Sequence, residues 1–208
     1  VMNILESVSP SVEIYSIDEA FLDLDTLDKN FNLYKFGCHV KGLIKQWTGL
    51  PVRVGIAPTK TLTKVAIYQV KKMNVATRVV QLITQQEIMK ALSLTPVGEV
   101  WGVGRRLNQH LQQMGIVSAL DLAQCDPAYI RQKFSIVLER TVRELRGERC
   151  LEIEHDVAAK KQIVVSRSFG QRVDHLSVLQ PIVSNFVVRA TEKLRDEKQK
   201  CSQVSVFV

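Results

Sequence analysis

An α+β chain built from several modules is what the sequence predicts, and three changes of rhythm along its 208 residues predict it. Up to about residue 94, short alternating segments take turns with amphipathic helical ones, the succession of a sheet layered with helices. From Val100 to Gly147 the pattern is helical in short, punctuated pieces. After a charged linker around Glu152 to Lys161, a β-like stretch, a long helix and a second alternating stretch follow.

The elements justify themselves in order. Val12 and Ile14 alternate like one strand, and Phe21, Leu22 and Leu24 like a second. Phe36, Val40, Leu43, Ile44 and Trp47 fall at helical spacing and predict one buried stripe. Val52 to Ile56 reads as a strand after Gly49 and Pro51. A second helix places Leu62, Val65, Ala66, Val70 and Met73 on its apolar face, with Lys60, Lys64, Lys71 and Lys72 among its polar positions. Val79 to Leu82 is a short strand and Gln85 to Leu92 a short helix. The helical segment divides into Arg105 to Met114, Ser118 to Ala123, Asp126 to Phe134 and Val137 to Arg146. Ser118 and Asp126 are suited to N-caps, Pro127 to a first helical position, and Gly147 to the residue beyond a helix end. In the last module Ile163 to Phe169 is β-like, Ser177 to Lys198 helical, and Ser202 to Val208 alternates again.

Composition bounds the function. With 46% hydrophobic and 24% charged residues, the chain buries a core and is not wholesale disordered. No apolar run approaches the roughly 18 residues of a membrane span and no basic-then-apolar leader opens the chain, so a cytoplasmic location is expected. Cys38, Cys125, Cys150 and Cys201 are scattered without zinc spacing, and read as reduced packing residues. The net charge of +7 is uneven: residues 160–208 carry 9 Lys+Arg against 4 Asp+Glu, which suits a surface facing a polyanion.

Two motifs carry chemistry. Asp18 and Glu19 are adjacent carboxylates where one strand turns into the next. Mg²⁺ takes hard oxygen ligands, usually one or two carboxylates with water and phosphates, and a bend from Ser16 to Glu19 would let both acids reach one site. The competing reading is a hairpin tip with two solvated acids. Trp101-Gly102-Val103-Gly104-Arg105-Arg106, followed by Leu107, Leu111 and Gly115-Ile116, resembles a helix–hairpin–helix. Glycines let backbone approach a phosphate, and the N–H groups opening the next helix bind the anion without reading a base. A glycine-rich turn between two packed helices is the alternative.

Together with Val54-Gly55-Ile56-Ala57-Pro58-Thr59-Lys60-Thr61-Leu62, Leu138 to Glu148 and Ser166-Arg167-Ser168-Phe169-Gly170, these segments resemble the Y-family of translesion DNA polymerases, in its UmuC-type branch, over essentially the whole chain. The resemblance implies a partial palm (residues 1–94), a helical thumb with the helix–hairpin–helix (95–150), a linker (151–162) and a partial βαβ little finger (163–208). It implies that Asp18 and Glu19 are catalytic and metal-binding, serving a two-ion Mg²⁺ site incomplete in this chain. Lys71 would contact the incoming nucleotide triphosphate. Gly102, Val103, Gly104 and Arg105 would hold primer phosphate, and Ser166, Arg167 and Ser168 template backbone. For Lys60 and Lys64 a solvated helix face remains an even alternative.

Implied partners are a DNA primer–template and, by the same resemblance, a UmuD-type subunit, a sliding clamp and the recombinase filament of the SOS response. Family members start with a further strand bearing another metal-binding aspartate, then a fingers subdomain, and neither precedes Val1. Thr77-Arg78 stands where the family tends to place glycines. The expectation is therefore little or no nucleotidyl transfer by this chain alone. A sequence-independent DNA-binding module and a partner-binding remnant are the rival readings.

Overall fold

A computed structural model of the protein describes residues 1–25, 31–72, 77–154 and 161–207. Two compact units divide the chain, Val1–His155 and Asp156–Val208.

The first unit starts with helix α1 (Met2–Val8) and the antiparallel hairpin of β1 (Val12–Ile14) and β2 (Ala20–Leu22). Its register sets Val12 opposite Leu22, Glu13 opposite Phe21 and Ile14 opposite Ala20. The long helix α2 (Leu33–Thr48) is capped by Asn32, whose side chain accepts from the Lys35 amide, and ends at Gly49 in the left-handed region. Val40 and Ile44 pack with Ile4 and Leu5 in a small core, with Phe36 and Leu43 partly buried against it. Trp47, assigned to the same stripe from its spacing, is instead 65% exposed. It lies in the last turn of α2.

Strand β3 (Val54–Ile56), helix α3 (Lys60–Lys72) and strand β4 (Val79–Gln81) form a parallel crossover unit. Both strands are shorter than the apolar runs suggested, because Val52 precedes the ladder and Leu82 contributes only its amide, bonded to the Ile56 carbonyl. Gly55 is required here: a Cβ on it would stand 2.6 Å from the Thr63 carbonyl oxygen of α3. Met73 falls outside the described residues.

Helices α4 (Gln85–Ser93), α5 (Arg105–Gln113), α6 (Ala119–Gln124), α7 (Pro127–Lys133) and α8 (Ile136–Leu145) complete the unit, with a 3₁₀ turn at Val97–Glu99. The caps fall where the sequence put them. Ser118 and Asp121 form a reciprocal capping box, Asp126 accepts from the Ala128 amide, and Gly147 takes φ +90 beyond α8. One continuous core joins Leu62, Val65 and Ala66 of α3 to Leu111, Leu122, Ile130, Val142 and Leu145, running across residues 94–95 without a break.

Among its described residues the second unit holds one helix, α9 (Leu176–Asp196), close to the expected span and without a buried residue. The β-like stretch 163–169 and the alternating stretch 202–207 are not strands among the described residues. A strand requires a ladder partner, and no ladder among the described residues pairs either stretch. All four cysteines are free thiols. Cys201 is exposed rather than packed, unlike the half-buried Cys38, Cys125 and Cys150.

Candidate nucleic-acid and metal site

The β1–β2 hairpin turns tightly. The amides of Tyr15 and Ser16 both donate to the Glu19 carbonyl, at 3.1 and 3.0 Å. Ser16 Oγ donates to Asp18 Oδ1 at 2.8 Å, which fixes the bend, and Ile17 at the tip is 98% exposed. Asp18 and Glu19 are therefore exposed acids on a hairpin tip, and both also line one cleft of roughly 750 Å³. The two sequence readings meet in this geometry: a solvent-facing turn whose two acidic residues line one concavity.

Helix α3 forms a neighbouring wall of that cleft through Lys60, Thr63, Lys64 and Ile67. Neither Lys60 nor Lys64 lies on a solvated face. Lys60 is buried; its ammonium pairs with Glu13 of β1 and donates to the Glu152 carbonyl. Glu13 in turn accepts from the Glu154 amide at 2.8 Å. Lys64 pairs with Glu19 at 2.8 Å and sits over the rings of Tyr15, Phe21 and Trp101, at 4.7, 5.3 and 5.6 Å from their centroids. Tyr15 and Trp101 meet edge to face, and Trp101 Nε1 donates to the Tyr15 hydroxyl at 3.2 Å. A cation held over ring faces gains about 0.5–2 kcal/mol, depending on desolvation, while an exposed ion pair adds little.

Lys71, the expected triphosphate contact, lies exposed in the last turn of α3 and is not among the residues lining the cleft. It follows Lys64 by seven positions, about 10 Å along the helix axis.

The carboxylate pair has the hard oxygens that Mg²⁺ prefers. Among the described residues, however, no group of three or more His, Cys, Asp or Glu side chains gathers to hold an ion, and Glu19 is already engaged by Lys64. The donor set suits one oxygen-bound divalent ion completed by water and phosphate, and does not by itself close a two-ion site.

The glycine turn starts from the 3₁₀ segment and leads into α5. Gly102 adopts φ +92, open to glycine and strained for other residues, and Gly104 is the extended N-cap of α5 with no side-chain cap. Both are exposed, as are Arg105 and Arg106. Val103 between them faces the core, 7% exposed, and its amide donates to the Val100 carbonyl. Its side chain is thus an anchor for the turn, and the groups turned outward are Gly102, Gly104 and the opening of α5. Ser166, Arg167 and Ser168 are exposed in the second unit, with Arg167 Nη1 donating to the neighbouring Ser166 carbonyl at 3.3 Å.

Sequence reasoning missed the ring cluster around Lys64. The available signal was the four-residue spacing of Lys60 and Lys64, which puts them on one face of α3. It also missed Glu144, fully buried, whose carboxylate accepts from the amides of Thr61, Cys150 and Leu151.

Comparisons with known proteins agree with this architecture. The family model for the impB/mucB/samB family matches residues 1–67, and the model for its C-terminal domain matches residues 160–208. The chain is 50% identical to Protein ImpB of Salmonella typhimurium over 100% of its own length and 50% of that protein. It is 48% identical to Protein UmuC of the same species, strain LT2, again over 100% and 50%. The chain thus spans about half the length of the curated relatives it matches. Among solved structures, a Y-family DNA polymerase chimera of Dbh and Dpo4 superposes with TM-score 0.66 at 20% identity, covering 92% of this chain and 55% of the other. An insertion ternary complex of Dbh DNA polymerase gives 0.59 at 20% identity, covering 92% and 55%. At that identity the likeness establishes the fold.

Proposed function

Because the chain belongs to the impB/mucB/samB family and carries the fold of Y-family DNA polymerases, we propose that it takes part in template-directed nucleotidyl transfer past damaged bases in the SOS response, with little or no transfer by this chain alone because its two carboxylates do not close a two-ion site. Residues 1–94 act as palm, 95–150 as thumb and 163–208 as little finger, with 151–162 as linker. The observation that carries this reading is the presentation of Asp18 and Glu19, from one turn, to a cleft walled by the lysine face of α3.

Asp18 and Glu19 would hold Mg²⁺. When bound, that ion supplies charge neutralisation at the transferring phosphate. The residues of the chain orient the substrates: Lys71 meets the triphosphate, and the opening of α5 with Gly102 and Gly104 meets primer phosphate. Arg105 adds positive charge beside that turn, and Ser166 to Ser168 follow the template backbone. No base edge is read, so the grip is independent of sequence. A cytoplasmic site of action, and a UmuD-type subunit, a sliding clamp and the recombinase filament as partners, complete the proposal.

The test is binding of a fluorescent primer–template duplex by anisotropy across a salt series, using two unrelated sequences. Equal affinity for both, falling steeply as salt rises, is expected. Strong preference for one sequence, or no binding at low salt, would overturn the reading.

A further inference from the structure

We propose that Lys64 is a positioning residue that locks the carboxylate turn to the glycine turn, so that Glu19 and the Trp101–Gly104 segment hold one shared pose. Three elements far apart in sequence meet at this ammonium. The β1–β2 hairpin contributes Glu19, Tyr15 and Phe21; helix α3 contributes Lys64; and the segment leading into α5 contributes Trp101. The rings also touch one another, with centroid separations of 5.4–5.9 Å among Tyr15, Phe21 and Trp101. Lys64 is only 17% exposed, so its charge is spent inside the cluster rather than offered to solvent.

The arrangement is directional. Trp101 immediately precedes Gly102, whose φ of +92 makes the turn, and it is tied to the hairpin by its bond to the Tyr15 hydroxyl. Removing the ammonium leaves the rings without the cation that they share and leaves Glu19 without its partner. Trp101 then loosens, and the turn behind it follows. Lys64 acts on the DNA grip through Trp101, not by touching a phosphate. The DNA half of this proposal rests on the function argued above; the Trp101 half does not.

Trp47→Phe leaves Trp101 as the single tryptophan, since the chain has two. In that background, acrylamide quenching of Trp101 and duplex anisotropy across a salt series are measured for the parent, Lys64→Met, Lys64→Arg and Glu19→Gln. Lys64→Met is expected to raise the quenching constant about twofold, with Lys64→Arg near the parent because a guanidinium also sits over rings. Glu19→Gln, at a half-exposed position, raises quenching as well and keeps the test alive if Lys64→Met does not fold.

Lys64→Met is also expected to weaken duplex binding at least about threefold with the salt slope unchanged, whereas loss of a direct phosphate contact lowers the slope by about one. Parent-like quenching in both Lys64→Met and Glu19→Gln overturns the proposal. So does a slope reduced by about one, or an unchanged affinity. A parent that binds no duplex contradicts the proposed function, and the Trp101 measurement then decides the positioning role alone.

Discussion

The fully buried carboxylate of Glu144 accepts a hydrogen bond from the Thr61 amide at 3.0 Å, joining the last turn of α8 to the first turn of α3. Its other oxygen accepts from the amides of Cys150 and Leu151, and the Glu144 carbonyl accepts from Thr59 Oγ1. One acidic side chain therefore satisfies three backbone donors, including one at a helix start, where negative charge is favoured. Glu144→Ala leaves those donors unpaired, buried at Thr61 and part-buried at Cys150 and Leu151. With each orphaned group costing about 1–3 kcal/mol, a loss of roughly 3 kcal/mol or more is expected. Urea unfolding followed by circular dichroism measures it; a loss below about 1 kcal/mol would contradict the role.

Gly55 tests the close approach of β3 to α3. A Cβ there meets backbone, the Thr63 carbonyl at 2.6 Å, rather than a side chain able to swing away. Gly55→Ala is expected to destabilise by about 1–3 kcal/mol through overpacking. Gly42→Ala is the control, because a Cβ at Gly42 meets nothing within 4 Å and it lies inside α2, where alanine is the better helix former. Equal effects of the two substitutions would contradict the packing argument.

Thr84 and Glu87 cap α4 reciprocally, as Ser118 and Asp121 cap α6, and these two capping boxes predict an acid-side loss of stability. Glu87 is held below the usual carboxylate range by the Thr84 amide first, and Asp121 by the Ser118 amide first. A carboxyl with a lowered folded-state pKa stabilises fully above its unfolded value, near 4, and that contribution disappears as pH falls through the folded value. Asp121→Asn should reduce the slope of stability against pH below about pH 4 while changing little of that slope at neutral pH. An identical acid limb in parent and variant would sink this explanation.

Thiol reactivity should separate the cysteines. Burial pushes the Cys125 and Cys150 thiols up, which lowers their thiolate fraction, whereas Cys201 is exposed. Mass-mapped alkylation at pH 7.5 should label Cys201 at least about tenfold faster than Cys125. Comparable rates would show that Cys125 is more accessible than its packing implies.

Much of the helical layer was legible because its signals are local. Ser118, Asp126 and Gly147 are read from residue type at a cap, and each cap is where the sequence placed it. Trp47 misled because periodicity reports a face and not which of its residues a neighbour covers. The β-like stretches of the second unit misled because alternation shows what a strand could bury, while a strand exists only with a hydrogen-bonded neighbour. At the site, the carboxylate turn and the glycine turn were visible as motifs. Their connection through Lys64 was not, because Tyr15, Lys64 and Trp101 meet only by tertiary folding. Glu144 was invisible for the same reason: its partners lie in other elements or beyond its own helix.

Asp18 and Glu19 are proposed to form a metal-holding turn, and Mn²⁺ tests this directly as an oxygen-seeking stand-in for Mg²⁺. Titration of the chain with Mn²⁺, followed by loss of the free-ion electron paramagnetic resonance signal, should reveal one site at up to millimolar concentration that competes with Mg²⁺. That site should be lost in Asp18→Ala and weakened in Glu19→Ala. Binding of equal strength in the parent and in both variants would contradict the account.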